Sequence, residues 1–322
     1  MSAEKGKKRF QLRGNLSILM GLVVLCVFFS ITADRFLTAG NLIGMLLQVT
    51  NIGIVAIGGM FVILTGGIDL SAGSMTALVG LLMAGFCVDN GFPVVIAILL
   101  GFAAGIGLGF INGLSVTKLR LSPFIVTLAM QSMLRGLGNV YSMGTTIFGM
   151  PDSFNYIGGG SLFGVIPIPV IILLLLFVIA HFVLSKTVFG HQLYAVGGNR
   201  EAAYLAGINV KRIEMTTYVI AAAMTSVAAL VLTGRLAAAL PTAAEGLEFS
   251  AISAIVIGGG SLSGGKGNML GTFIGVLIIG VLNNGLGLLN ISPFWSQFAQ
   301  GLIIFVAVLI DAINQRRNQE KA

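Results

Sequence analysis

Leu64-Thr65-Gly66-Gly67-Ile68-Asp69-Leu70-Ser71-Ala72-Gly73-Ser74 stands between two apolar runs, and parts of it return later in the chain. Leu64-Thr65-Gly66 recurs as Leu232-Thr233-Gly234, and Gly67-Ile68-Asp69-Leu70-Ser71-Ala72 recurs as Gly246-Leu247-Glu248-Phe249-Ser250-Ala251. Further along, Asn112-Gly113-Leu114 followed by Ser122-Pro123-Phe124 returns as Asn284-Gly285-Leu286 followed by Ser292-Pro293-Phe294. Four matches in one order, at an interval of roughly 170–180 residues, mark an internal repeat. Such repeats are a transporter signature, with the path at the repeat interface.

The surrounding composition fixes the solvent. Of 322 residues, 56% are hydrophobic and 9% charged, with a mean hydropathy of +1.00. A globular domain is about 25% charged, so a soluble enzyme, a secreted disulfide scaffold and a nucleic-acid binder are excluded despite a pI near 9.7. The 45 glycines suit close helix approach in lipid, where packing drives association. Cys26 and Cys87 lie in or beside apolar runs and read as unpaired. Ten segments approach the roughly 17–25 residues that a helix needs to cross hydrocarbon: 15–33, 42–65, 70–88, 92–115, 122–141, 168–185, 213–234, 248–262, 268–288 and 293–312. The eighth is short enough to be partly re-entrant. The first reads as an anchor rather than a signal peptide, since no small-residue cleavage site follows it.

The expected fold is therefore an all-α polytopic membrane protein of about ten transmembrane helices. Its parts are a cytoplasmic tail at 1–14, a permease domain at 15–312 and a second cytoplasmic tail at 313–322. The repeats cover roughly 15–141 and 168–312, and a cytoplasmic loop fills 186–212. Five spans per repeat, an odd number, makes the second copy inverted. Orientation follows Lys and Arg. With both termini inside, fifteen of the eighteen basic residues are cytoplasmic; Arg35 and Arg235 fall outside and Arg135 within a span. The charge excess is thus an orientation signal whose only counterpart is lipid headgroups.

Gly260 to Gly267 nearly spells a phosphate-binding loop, but Gly267 stands where magnesium needs Ser or Thr after Lys266. Leu262-Ser263-Gly264-Gly265 mimics an ATPase signature within the same turn. No extramembrane segment is longer than the 186–212 loop, which leaves no room for an ATPase domain. These are turn glycines, and the chain is read as no enzyme, with no cofactor and no metal of its own.

In the 186–212 loop, Asn199 suits an N-cap, Glu201 the positive end of a helix dipole, and Gly207 a helix stop. The result is a short surface helix with Tyr204 and Leu205 as exposed anchors, either a solvated connector or an element that inserts into a partner's groove. Thr127, Gln131, Arg135 and Asn139 recur every four residues and form one stripe on the fifth span. An arginine at the bilayer centre costs about 2.5–3.5 kcal/mol and faces protein or water. The stripe is read either as a translocation path at a dimer axis or as an interhelical hydrogen-bond network. Counting from Pro293, only Gln297 keeps it in the other repeat. Gln48 and Asn51 form a second, weaker patch. Asp69 and Glu248 begin spans, where the dipole favours an acid; capping is the first reading, a gate or proton site the second.

Glu201-Ala202-Ala203 followed by Gly207 resembles the Glu-Ala-Ala loop of ABC importer permeases. The chain from about 36 to 312 resembles the ribose-type sugar permeases of that superfamily, on Leu64 to Ser74, Gly197 to Val210, Gly258 to Gly267 and Asn283-Asn284-Gly285-Leu286. The Ile-x-Leu-Pro ending of the wider loop consensus is absent. The resemblance implies the vitamin B12-type or ribose-type importer permease fold in a bacterial cytoplasmic membrane. It implies ATPase coupling through Asn199, Glu201, Ala202, Ala203, Tyr204, Leu205 and Gly207. It further implies a second permease copy or paralogue, a cytoplasmic ABC subunit that binds ATP and Mg, and a periplasmic or surface-tethered sugar-binding protein. The cargo expected is a pentose, a hexose or a sugar-like signal such as autoinducer-2. The rival class is an ion-coupled secondary transporter acting alone, which needs a buried acid near the midplane. A membrane scaffold is the most distant alternative.

Overall fold

The computed structural model describes residues 2–319, with side chains over 16–309 and at Ile313. The side chains of the two tails, with eight of the lysines and arginines expected to be cytoplasmic, lie outside the described residues. Helices coincide with all ten apolar segments: α1 (Ser2–Thr32), α2 (Ala39–Leu64), α3 (Ala72–Val88), α4 (Val94–Thr117), α5 (Pro123–Ser142), α7 (Ile168–Lys186), α10 (Val210–Leu236), α11 (Leu247–Ile257), α12 (Met269–Leu288) and α13 (Pro293–Gln319). Five of them, α2, α4, α7, α10 and α12, are long and apolar enough to cross a membrane.

Three further helices lie in the links between apolar segments: α6 (Asp152–Gly159), α8 (Val188–Gly198) and α9 (Arg200–Leu205). Two-residue strands complete the chain. β1 (Ile147–Phe148) pairs antiparallel with β4 (Ala238–Ala239), and β2 (Ser161–Leu162) pairs with β3 (Ile166–Pro167).

The core is built on α2 and α10. From Val49 to Leu64, α2 is buried nearly without interruption. It crosses α10 where Gly58 faces the Ala221 backbone, and a Cβ there would come within 2.8 Å of Ala221 Cα. The stripe Gly101, Gly105, Gly109 and Gly113 turns one face of α4 inward, and the last three lie against Ser226, Ala222 and Met215 of α10. The opposite face of α4 shows Val95, Leu99, Phe110 and Ile111 to the surroundings, as a helix against lipid does. Small residues allow close approach, and apolar ones face hydrocarbon.

Two breaks in this helical frame shape the centre. After α2 the chain turns at Gly66 (φ +79) and runs without helix to Ser71. After α10, Ala237 is left-handed and α11 starts only beyond Gly246 (φ +76). The eighth apolar segment is a half-length helix. The 11 residues of α11 rise about 16 Å at 1.5 Å each, against a core of ~30 Å. The remainder of that segment, beyond Ile257, is a glycine-rich turn, so 248–262 is not one continuous helix.

Candidate functional site

The 186–212 hairpin is a relay of three capped helices. Thr187 Oγ1 accepts from Gly190 N (3.2 Å) at the start of α8. Asn199 Oδ1 accepts from Ala202 N (2.9 Å) at α9, and Asn209 Oδ1 from Arg212 N (3.1 Å) at α10. At the end of α9, Ile208 N donates to Ala203 O (3.0 Å), a closure that requires the left-handed Gly207 (φ +82). Glu201 sits exposed in the first turn of α9, Ala203 is buried, and Tyr204 and Leu205 are 71% and 79% exposed. Two adjacent apolar side chains on a six-residue helix are thus held outward from this chain. Arg200 also pairs with Glu214 of α10 at 2.9 Å, a contact that sequence spacing alone does not reveal.

This relay is fastened to the helical body by a junction of three backbones. A Cβ at Gly197 would overlap the Leu64 carbonyl oxygen and sit 2.5 Å from Gly265 N. Gly265 N itself donates to Leu64 O at 2.9 Å. Gly264 (φ +87) lies against Gly66, and Tyr194 Oη of α8 donates to Gly267 O at 2.9 Å. The string that mimics a phosphate loop is therefore structural: its glycines clamp the hairpin onto the end of α2. Burial pushes the Tyr194 hydroxyl from 10.0 up to about 12. A raised acid pKa in the folded state means stability complete below about pH 10 and lost as the pH rises towards 12. Tyr194→Phe should lower the thermal midpoint by an amount equivalent to about 0.5–1.5 kcal/mol and flatten that alkaline loss. An unchanged midpoint would remove Tyr194 from the junction.

At the centre the two breaks meet. Asp69 and Glu248 line one cavity of about 10 Å³, room for roughly a single water, together with Val55, Thr225 and Ile252. Asn112 Nδ2 donates to Ser71 Oγ (3.0 Å), and Ser71 Oγ to Asp69 Oδ1 (2.6 Å). Across the cavity Gln131 Nε2 donates to Glu248 Oε1 (2.7 Å), while Glu248 Oε2 rests on Gly73, where any Cβ would collide with it. Both acids stand at helix starts, as the sequence suggests, but these starts lie within the protein. Glu248 lies in the first turn of α11 and Asp69 just ahead of α3. Glu248 is 2% exposed, and the cavity borders Ala221 and Thr225 near the midpoint of α10.

The α5 stripe turns mostly into its own subunit. Thr127 is buried and donates to Ile68 O (3.3 Å) and Pro123 O (2.9 Å). Arg135 Nη1 donates to Pro241 O (2.6 Å) and Ala243 O (2.9 Å), bracing the 237–246 segment. Only Asn139 is exposed, donating to Arg135 O of its own helix (2.9 Å). The Gln48 and Asn51 patch divides, with Gln48 exposed and Asn51 buried. Arg235, expected in an outer link, ends α10 and donates to Leu47 O at 3.0 Å. On α13 Gln297 is exposed, and Gln300, for which the sequence offers no signal, is the buried one, accepting from Ser250 Oγ at 3.0 Å. Two larger cavities flank the centre. One of about 730 Å³ is lined by Gly66, Arg120, Ser122, Arg200, Lys211 and Glu214; the other, about 600 Å³, by Glu245, Gly246, Ser250, Asn283 and Gln297.

A bundle of apolar helices, with two interrupted connections meeting between polar cavities, is the architecture of a polytopic membrane permease. The family model described as branched-chain amino acid transport system / permease component matches residues 41–308, and the chain belongs to that family. It is 46% identical to the ribose import permease of Bacillus subtilis over 294 residues, 91% of each chain. It is 40% identical to the L-arabinose ABC transporter permease of Azospirillum brasilense over 97% of this chain and 91% of that one. The fructose import permease of Rhizobium meliloti is 37% identical over 89% of this chain and 82% of that one. No solved structure matches the chain.

Proposed function

We propose that this chain is the membrane-spanning permease subunit of a binding-protein-dependent ABC importer that carries a monosaccharide, a ribose-like pentose first. The observation that carries the reading is the near-full-length similarity to sugar import permeases, at 46% for the ribose permease of Bacillus subtilis against 40% and 37% for the arabinose and fructose ones; the ribose permease of Escherichia coli, at 40%, is level with the arabinose one. It is joined to an exposed capped helix of the kind a partner's groove accepts. The family's description mentions branched-chain amino acids, but the similar permeases carry ribose, arabinose and fructose names.

In this reading ten spans form an inverted repeat in a bacterial cytoplasmic membrane, both termini inside. Packing supports it: α4 against α10 is mirrored by α12 against α2, and α3 against α5 by α11 against α13. The basic-residue count puts the larger cavity, with Arg120 and Lys211, at the cytoplasmic mouth and the one with Glu245 outside. A cytoplasmic ABC subunit binds ATP and Mg and moves α9; the Gly197 junction passes that motion to α2, and the central acids separate the two mouths in alternating access. The chain performs no hydrolysis. A second permease copy or paralogue completes the path, and an external binding protein delivers the sugar.

Glu201→Lys places a cation at the positive end of α9 and should lower uptake about tenfold, about 1.4 kcal/mol of coupling, with the complex still hydrolysing ATP. Uptake at the parent rate would refute the role of α9. One observation favours a second reading. The central acids, buried Glu248 and half-buried Asp69, are what an ion-coupled transporter working alone requires, and uptake in vesicles without nucleotide, driven by an ion gradient, would establish it. Competition of labelled ribose uptake by arabinose, fructose and autoinducer-2 ranks the cargo.

A further inference from the structure

Resting on the importer reading, we propose that the larger cavity, at the cytoplasmic mouth, is a site for a phosphate-bearing anion, foremost a phosphorylated sugar made from the imported one by an ATP-dependent kinase, which reports accumulated cargo back to the importer. Its rim carries three cations, Arg120, Arg200 and Lys211, and one acid, Glu214. Glu214 is already paired with Arg200 at 2.9 Å. Among the described residues no carboxylate pairs with Arg120 or Lys211, so two positive charges face the cavity uncompensated. Ser122 and Pro123, also on the wall, open the 20-residue α5, whose N-terminus has no side-chain cap. Pro123 brings no amide hydrogen, so it is the positive end of the helix dipole that favours an anion there.

The other repeat supplies a contrast. Arg120 is left-handed, at φ +57, a conformation that crowds Cβ against the following carbonyl oxygen and suits Asn better than Arg. Asn290 (φ +56) holds the same conformation three residues before Pro293, as Arg120 does three residues before Pro123. The matching position of the other repeat thus carries the residue the geometry favours, and the cavity on that side has acidic Glu245 on its wall and no lysine or arginine. Arginine stands in an unfavourable conformation on the side where it faces the anion cavity.

The test is calorimetric titration of the importer complex in phosphatidylcholine nanodiscs with ribose 5-phosphate, inorganic phosphate and ribose. Both phosphates should bind saturably, one per permease chain, and ribose should not bind there. Arg120→Asn and Lys211→Gln should each weaken binding about tenfold, and the pair about a hundredfold. Arg120→Asn also relieves the backbone strain, so its thermal midpoint should stay equal or rise, which separates lost binding from lost fold. Repeating the titration in discs containing phosphatidylglycerol distinguishes the sources. Competition assigns the resident phosphate to a lipid headgroup, no competition to the soluble ester, and either supports the site. Absence of phosphate binding by the wild-type complex, indifference to both substitutions, or binding only after the ATPase is stripped away overturns it. Failure of the importer reading shows separately, as a permease that purifies with no ATP-binding subunit.

Discussion

Gly197→Ala should abolish the stable association of the hairpin with the helical body, while Gly198→Ala next to it should be silent. The first methyl would be driven into the Leu64 carbonyl oxygen and towards Gly265 N. Both obstacles are backbone, held together by the 2.9 Å Gly265 N to Leu64 O hydrogen bond, so no side chain can swing away. Overpacking against flexible neighbours costs about 1–3 kcal/mol, and a rigid backbone clash belongs at or above the top of that range. At Gly198 a Cβ meets nothing within 4 Å, and as the last residue of α8 Gly198 is not in the helix interior, where glycine carries its full penalty against alanine. Thermal midpoints in detergent and retention of the ATP-binding subunit check the pair. Equal behaviour of the two variants would mean that this junction does not hold α8 and α9 to α2.

Arg135→Ala should lose folded protein and transport together. The guanidinium holds the carbonyls of Pro241 and Ala243, and hydrogen bonds to a charged group contribute about 1.5–3 kcal/mol each. Truncation leaves both carbonyls without this donor in a segment that already lacks helical bonding, and the loss is expected at about 3 kcal/mol or more. Arg135→Lys should recover part of it, since an ammonium cannot reproduce the planar fork. Asn139→Ala removes only a bond to its own helix and should leave stability within about 0.5 kcal/mol. If Arg135→Ala instead keeps the parent's midpoint and monodispersity but fails to transport, Arg135 acts on the cargo and not on the 237–246 segment.

These contrasts show what local sequence carries and what it does not. Helix positions are legible because a run of apolar residues has one outcome in lipid. The α9 cap and stop are legible because Asn199 and Gly207 act on their immediate chain neighbours. The Asp69–Glu248 meeting is not, because it depends on two chain breaks, one after α2 and one after α10, packing face to face. The stripe on α5 is visible as a stripe, but its partners are carbonyls and a carboxylate on distant segments, and main-chain acceptors leave no residue signature. On α13 the apolar residues surround the helix, so nothing phases it, and the repeat points to Gln297 where Gln300 turns inward. The glycines at 264–267 draw attention as a nucleotide motif, whereas their role is steric and concerns Gly197 and Gly66.

The most direct measurement is purification of the tagged full chain from its native membranes in mild detergent, followed by mass spectrometry of what accompanies it. The importer account predicts a stoichiometric ABC ATP-binding subunit, which stays associated but uncoupled from uptake in Glu201→Lys. A chain that emerges intact, folded and repeatedly without any ATPase, yet accumulates sugar in vesicles on an ion gradient alone, would contradict it and pass the central role to Asp69 and Glu248.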